Sequence, residues 1–268
     1  MTHRKNITYA DTLAKRKGMT YAMPHHSQLH GTQVMAKANG FILYEGPSAL
    51  DGAPIVVIVT GTAKKSANPK TGDMLQTWIL RSDIPPVEAA RNGADASICG
   101  DCPHRYNPAT GKRDCYVLVW QAPRQVWEAY KRGRYPHATA DQLASIATGR
   151  MVRIGSYGDP YAAPLALWRA MTARALGWTG YTHQWRIAGA DWSALVMASA
   201  DSIDDMTHAH AIGWRTFRVT AEPLQHIRKI ETVCPASKER GAVTTCADCR
   251  ACMGTTSPKR ASIQIAMH

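Results

Sequence analysis

The chain reads as an α/β protein: a partial or complete (β/α) TIM-like barrel with an N-terminal β-rich extension and a C-terminal Cys-rich metal loop. Strand-like and helix-like segments alternate between residues 152 and 220, the pattern of a parallel sheet covered by helices. A hairpin pattern precedes them, and four of the seven cysteines fall near the C-terminus. The expected organisation is a basic and β-hairpin extension over 1–95, the (β/α) core over 96–230 and a Cys-rich metal-binding segment over 231–268.

Taken in order, residues 11–18 predict a short helix capped by Asp11 and stopped at Gly18, with Lys15, Arg16 and Lys17 in its last turn. Strands are predicted over 41–44, 54–60 and 74–81, the last two joined through the turn-forming run Asn68-Pro69-Lys70-Thr71-Gly72. Lys64, Lys65 and Lys70 sit near that hairpin tip, where flexible cations can meet a phosphate backbone without reading bases. Helices are predicted over 85–92, 124–132 and 142–148. Strands follow over 152–156, 179–184, 195–199 and 216–220, with helices over 163–176 and 202–212 between them.

The cysteines divide into Cys99, Cys102 and Cys115 on one loop and Cys234, Cys246, Cys249 and Cys252 toward the end. A closed metal site takes four protein ligands, whereas a working site keeps one position open. The split therefore suggests one structural and one reactive centre. Three cysteines in successive C-x2-C steps with a distant Cys234-Pro235 match the ligand inventory of a cubane iron–sulfur cluster, with zinc as the alternative. For the first set, His104 is a possible fourth zinc ligand; left open, the same three thiolates suit a four-iron cluster with one iron free.

Reactive groups in parallel α/β architectures gather where strands end. Those edges carry Gly158-Asp159 after the first strand, His183 after the second, Asp201 after the third and Thr220-Ala221-Glu222 after the fourth. Asp159 and Asp201 also suit helix N-caps. Thr179, Tyr181 and His183 share one strand face, as do Thr216, Arg218 and Thr220, and Arg153 interrupts its own strand. Strands buried on both faces are normally continuous apolar runs, so these polar positions predict a face or lumen holding a polar ligand, with Arg153 and Arg218 available to carboxylate or phosphate.

Lysine and arginine outnumber aspartate and glutamate by 32 to 20, a net charge of +12 that favours a nucleic-acid partner, DNA or RNA. The odd cysteine count and the absence of an apolar leader predict reduced thiols and a cytoplasmic protein, and no apolar run reaches the roughly 20 residues of a membrane span.

A three-cysteine loop ending in Cys115-Tyr116, followed by a strand closing in Gly158-Asp159-Pro160 and then by Tyr181-Thr182-His183, resembles small phage and prophage proteins related to the radical S-adenosylmethionine barrels. The resemblance covers residues 96–252 and implies a partial (β/α) barrel, with host cytoplasm as the location for a phage-encoded chain. It further implies a [4Fe-4S] cluster on Cys99, Cys102 and Cys115 whose free iron takes S-adenosylmethionine. Gly155, Ser156, Tyr157, Gly158 and Asp159 would contact that cofactor, and Cys234, Cys246, Cys249 and Cys252 would hold an auxiliary cluster. His183, Arg153 and Arg218 would serve the adenosyl ligand. The loop here is C-x2-C-x12-C, whereas the family's usual loop is C-x3-C-x2-C. A second resemblance is to queuine-type and phage 7-deazaguanine DNA transglycosylases, zinc-containing barrels in which Asp159 and Asp201 would be nucleophile and general acid/base. A non-enzymatic, metal-stapled nucleic-acid-binding module is the third reading.

Overall fold

The computed structural model describes residues 38–66, 68–224, 230–259 and 261–267. The helix expected over 11–18 lies outside them. The described residues form a mixed α/β structure with two five-stranded sheets and helices.

Strand β1 (Gly40–Pro47) pairs antiparallel with β2 (Pro54–Thr60), and β2 pairs antiparallel with β3 (Met74–Arg81), which confirms the hairpin read from sequence. Residues 55–59 of β2, Ile-Val-Val-Ile-Val, are all 0% exposed. A strand covered on both faces needs such an unbroken apolar run, and each buried side chain contributes roughly 1.5–3 kcal/mol. Helix α1 (Pro86–Asn92) starts on a proline that needs no amide partner and stops at left-handed Gly93. Helix α2 (Ala96–Cys99) leads into the three-cysteine loop, and α3 (Ala122–Lys131) and α4 (Ala140–Ser145) follow it, α4 being fixed by a capping box between Thr139 and Gln142.

From here the chain alternates as expected. Strand β4 (Met151–Tyr157) pairs parallel with β3, and after α5 (Leu165–Thr172), β5 (Gly177–Thr179) pairs parallel with β4. Gly180 alone separates β5 from β6 (Tyr181–Thr182), the first strand of the second sheet. A Cβ on Gly180 would stand 2.6 Å from Val196, so only glycine allows the chain to pass between the sheets here. Helix α6 (Ala190–Ser193), β7 (Met197–Ala200), α7 (Ile203–Ala211) and β8 (Thr216–Thr220) complete the alternation. Ser202, not Asp201, caps α7, by accepting a hydrogen bond from the Asp205 amide at 3.0 Å.

The final segment is part of the sheet. Strand β9 (Glu231–Val233) and, after α8 (Cys246–Cys249), β10 (Ser262–Ala266) give the order β6-β7-β8-β10-β9, all parallel. The expected boundaries at 95 and 230 therefore do not divide the structure: β3–β4 pairing crosses the first and β8–β10 pairing the second, and residues 38 onward form one compact unit.

Candidate metal centre and its cavity

One cavity of about 320 Å³ is lined by six of the seven cysteines; Cys99 is not among its lining residues. Cys102 and Cys115 line it from the first loop, and Cys234, Cys246, Cys249 and Cys252 from the last segment. Arg153, Thr179, Tyr181 and His183 line it, although the strand expected over 179–184 is broken at Gly180: Thr179 ends β5, Tyr181 opens β6 in the other sheet, and His183 follows β6.

The three-cysteine loop is held by its own polar staples. Arg105 reaches the buried Asp95 carboxylate at 2.6 Å and the carbonyls of Gly93 and Gly100 at 2.8 and 3.0 Å. Arg113 donates to the carbonyls of Cys115 and Val117 at 2.9 and 2.7 Å. Gln184 fastens the loop to the sheet edge by donating to Asp101 at 2.6 Å. Its amide lies so close that a Cβ on left-handed Gly100 would collide at 2.2 Å. Burial and the carboxylate of Asp95 push the Cys99 thiol well above its ordinary pKa, with Cys102 and Cys115 near enough to add to the effect.

The four-cysteine set sits in an apolar shell with Met197, Ala236, Ala251, Ile263 and Ile265, against Tyr181, Phe217 and Val219. Thr245 caps α8, and Arg250 turns left-handed after it to bring Cys252 round. The hairpin tip anchors the segment: the amides of Cys246 and Ala247 donate to the carbonyls of Lys70 and Thr71 at 2.9 and 3.1 Å. Burial raises the thiols of Cys234 and Cys246 and pushes Cys252 up to about 12, with the neighbouring thiols adding to the shift. Lys259 approaches Cys249 Sγ at 3.6 Å. Such thiols are poor anions alone, and a bound cation would bring them to thiolate.

Among the described residues, only His104, His183 and Asp201 bring three ligand atoms within 4.8 Å of one another. Neither cysteine set closes that far. Sulfurs around a single zinc at about 2.3 Å stand only about 3.8 Å apart, whereas those on a cubane each bind a different iron and are more widely spaced.

The predicted residues fall into two groups. Arg153 lies in the cavity over the Tyr116 ring, 5.8 Å from its centroid, and bonds the Tyr116 hydroxyl. Lys70, expected at an open tip, also faces the cavity, whereas Lys64 is exposed and Lys65 is 3.8 Å from Asp73. His183 lines the cavity, and Asp201 lies against it.

The others are turned to structural work. Arg218 is buried and grips Glu231 at 2.6 Å, with Gln264 beside it, so it is not presented to a ligand. The cavity-facing positions of β8 and β10 are instead apolar, with Phe217 opposite Ile263 and Val219 opposite Ile265. Gly155, Ser156, Tyr157 and Gly158 do not line the cavity. They form a bulge against β3, in which Gly155 has φ +70° and its amide donates to Thr77 Oγ1 at 2.9 Å. Ser156 donates to Gln76 at 2.8 Å, Tyr157 is 3% exposed, and Gly158 passes so close to Ile79 that a Cβ would meet it at 2.7 Å. Asp159 is buried, and its carboxylate accepts from the Tyr161 amide at 2.9 Å, Thr182 Oγ1 at 2.7 Å and the His183 amide at 2.8 Å. Burial raises its pKa against the pull of these bonds.

The chain matches no family model, no curated protein and no solved structure. Function therefore rests on the cavity itself. His104 places Nε2 2.8 Å from Asp201 Oδ1. Sequence gave no sign of that pairing, because 97 positions separate the two residues. Burial alone would lower the pKa of His183, but Asp201 and Cys102 beside it raise it to about 10. Burial would raise Asp201, but His104 and His183 hold it well below the usual carboxylate range.

Proposed function

We propose that this chain is an iron–sulfur enzyme of the radical S-adenosylmethionine type acting on a nucleotide or nucleic acid. The observation that carries this reading is the convergence on one cavity of Cys102 and Cys115 from the first set and all four cysteines of the second. The donor chemistry fits: three thiols leave a position open and four close a site, and both sets are spaced more widely than one zinc requires. Bound on Cys99, Cys102 and Cys115, a [4Fe-4S] cluster would supply the electron for reductive cleavage of S-adenosylmethionine; Cys234, Cys246, Cys249 and Cys252 would hold a second cluster.

The chain's own residues set the conditions. Arg153 and Lys70 bring positive charge to a cavity lined by thiols and apolar side chains, offsetting cluster charge and attracting carboxylate or phosphate. Phe217, Val219, Ile263 and Ile265 exclude water beside the four-cysteine set. Asp159 orients the strand end that carries His183. Parallel strands in both sheets, β3-β4-β5 in one and β6-β7-β8-β10-β9 in the other, support a partial (β/α) barrel curled around this cavity. Exposed Tyr116 and Trp120, with Lys64 and Lys65 elsewhere on the surface, suit stacking and phosphate contact with a nucleic acid.

The transglycosylase reading needs Asp159 as a nucleophile open to substrate; three hydrogen bonds already engage that carboxylate, so the geometry supports it less. The test is to purify and reconstitute the chain without oxygen, reduce it with dithionite and add S-adenosylmethionine. Formation of 5′-deoxyadenosine that disappears with Cys102→Ala supports the reading. A colourless protein with stoichiometric zinc and no such product overturns it.

A further inference from the structure

We propose that His104, His183 and Asp201 form a binding site, next to Cys102 of the first cysteine loop, for one divalent first-row cation that favours imidazole and carboxylate, such as Mn²⁺ or Fe²⁺. Each residue offers one ligand atom, and the three atoms lie within 4.8 Å of one another. His104 Nε2 stands 2.8 Å from Asp201 Oδ1, and His183 Nε2 stands 3.3 Å from Asp201 Oδ2. The rings are tilted at 65° with centroids 5.9 Å apart, and each Nε2 lies near a different oxygen of the one carboxylate.

A plain histidine–carboxylate bond accounts for only half of this. His183 Nε2 is sealed from solvent and lacks a well-formed hydrogen bond, although it stands 3.3 Å from Asp201 Oδ2 and Cys102 lies beside the ring. An unsatisfied buried nitrogen is costly, and a cation between the three groups would satisfy it.

The ligands also come preorganised from three different elements. The carbonyl of His104 accepts from the Cys115 amide at 2.9 Å. The His183 amide is fixed by Asp159, and the Asp201 amide donates to Asp205 at 3.1 Å. Two histidines and one carboxylate suit first-row metals and leave coordination positions free. Because His104 and His183 line the cavity, those positions would face a ligand there, with oxygen-donor groups such as phosphate or carboxylate as the fitting class.

The test uses Mn²⁺, which prefers nitrogen and oxygen donors to thiolate. The full chain, purified without oxygen and desalted, is titrated with Mn²⁺ while the signal of the free ion is followed by electron paramagnetic resonance. One bound Mn²⁺ per chain is expected, with affinity falling tenfold or more in both Asp201→Asn and His104→Gln. Circular dichroism melting identifies a variant that fails to fold, and the other variant then decides. No bound Mn²⁺, or affinity unchanged in a folded variant, overturns the proposal. The readout does not depend on iron: a chain holding zinc, or nothing, on its cysteines is titrated in the same way, so this site and the iron–sulfur reading fail separately.

Discussion

The carboxylate of Asp159 accepts a hydrogen bond from the backbone amide of His183 at 2.8 Å, tying the end of β4 to the end of β6 across the junction between the two sheets. Asp159→Ala would leave that amide, the Tyr161 amide and the Thr182 hydroxyl without their acceptor. Each stranded donor costs about 1–3 kcal/mol where water cannot reach it. The expected loss is about 3 kcal/mol or more in urea unfolding with an unchanged slope. A variant as stable as wild type would show that Asp159 does not carry this junction.

Arg218 and Glu231 make the same kind of point within the second sheet, where a 2.6 Å ion pair is buried beside Gln264. Glu231→Ala is expected to cost about 3–5 kcal/mol because it abandons a buried charge, while the double change Arg218→Met, Glu231→Leu should be far milder. Denaturant melts of the three proteins decide. Similar losses in the single and double variants would contradict a pairing role.

Gly155 is held at φ +70° in the bulge of β4, and a Cβ there would stand 2.7 Å from the Gly158 carbonyl oxygen. Gly155→Ala therefore meets both backbone strain and a clash, and should destabilise by about 1–3 kcal/mol. A thermal melt unchanged by the substitution would remove the bulge from this account.

His210 supplies the pH dependence. Burial lowers its pKa below the ordinary 6.5; Arg215 lowers it further, Glu231 opposes, and Ser262 Oγ lies 2.8 Å from Nε2. The unfolded chain thus binds the proton more readily than the folded one. This site's stabilising contribution is complete above pH 6.5 and is lost as pH falls from there through the folded pKa. His210→Gln should flatten the fall in melting temperature between neutral and mildly acidic pH; parallel curves for the two proteins would contradict the assignment.

What the sequence revealed followed from local chemistry. The run at 55–59 could only suit a fully covered strand and Asn68 to Gly72 suited a turn, whereas Thr179, Tyr181 and His183 reach the cavity from two strands of different sheets and the turn after them rather than from one strand. What it hid depended on distant partners. Arg218 looks available for an anion until Glu231 is placed beside it, and the glycines near 155 look ligand-facing until β3 is laid against them. The short strands Glu231–Val233 and Ser262–Ala266 were missed because the cysteine spacing dominates that region, and their pairing with β8 depends on long-range register. The Lys70 contact with the last cysteine segment was beyond reach for the same reason.

The central claim is that two cysteine sets, one of three and one of four, hold separate clusters beside one cavity. Iron and acid-labile sulfide counted in the anaerobically purified chain test it most directly. The account predicts about eight iron atoms in wild type and about four in either Cys102→Ala or Cys249→Ala. A single zinc with no iron, or iron content unmoved by both substitutions, would contradict it.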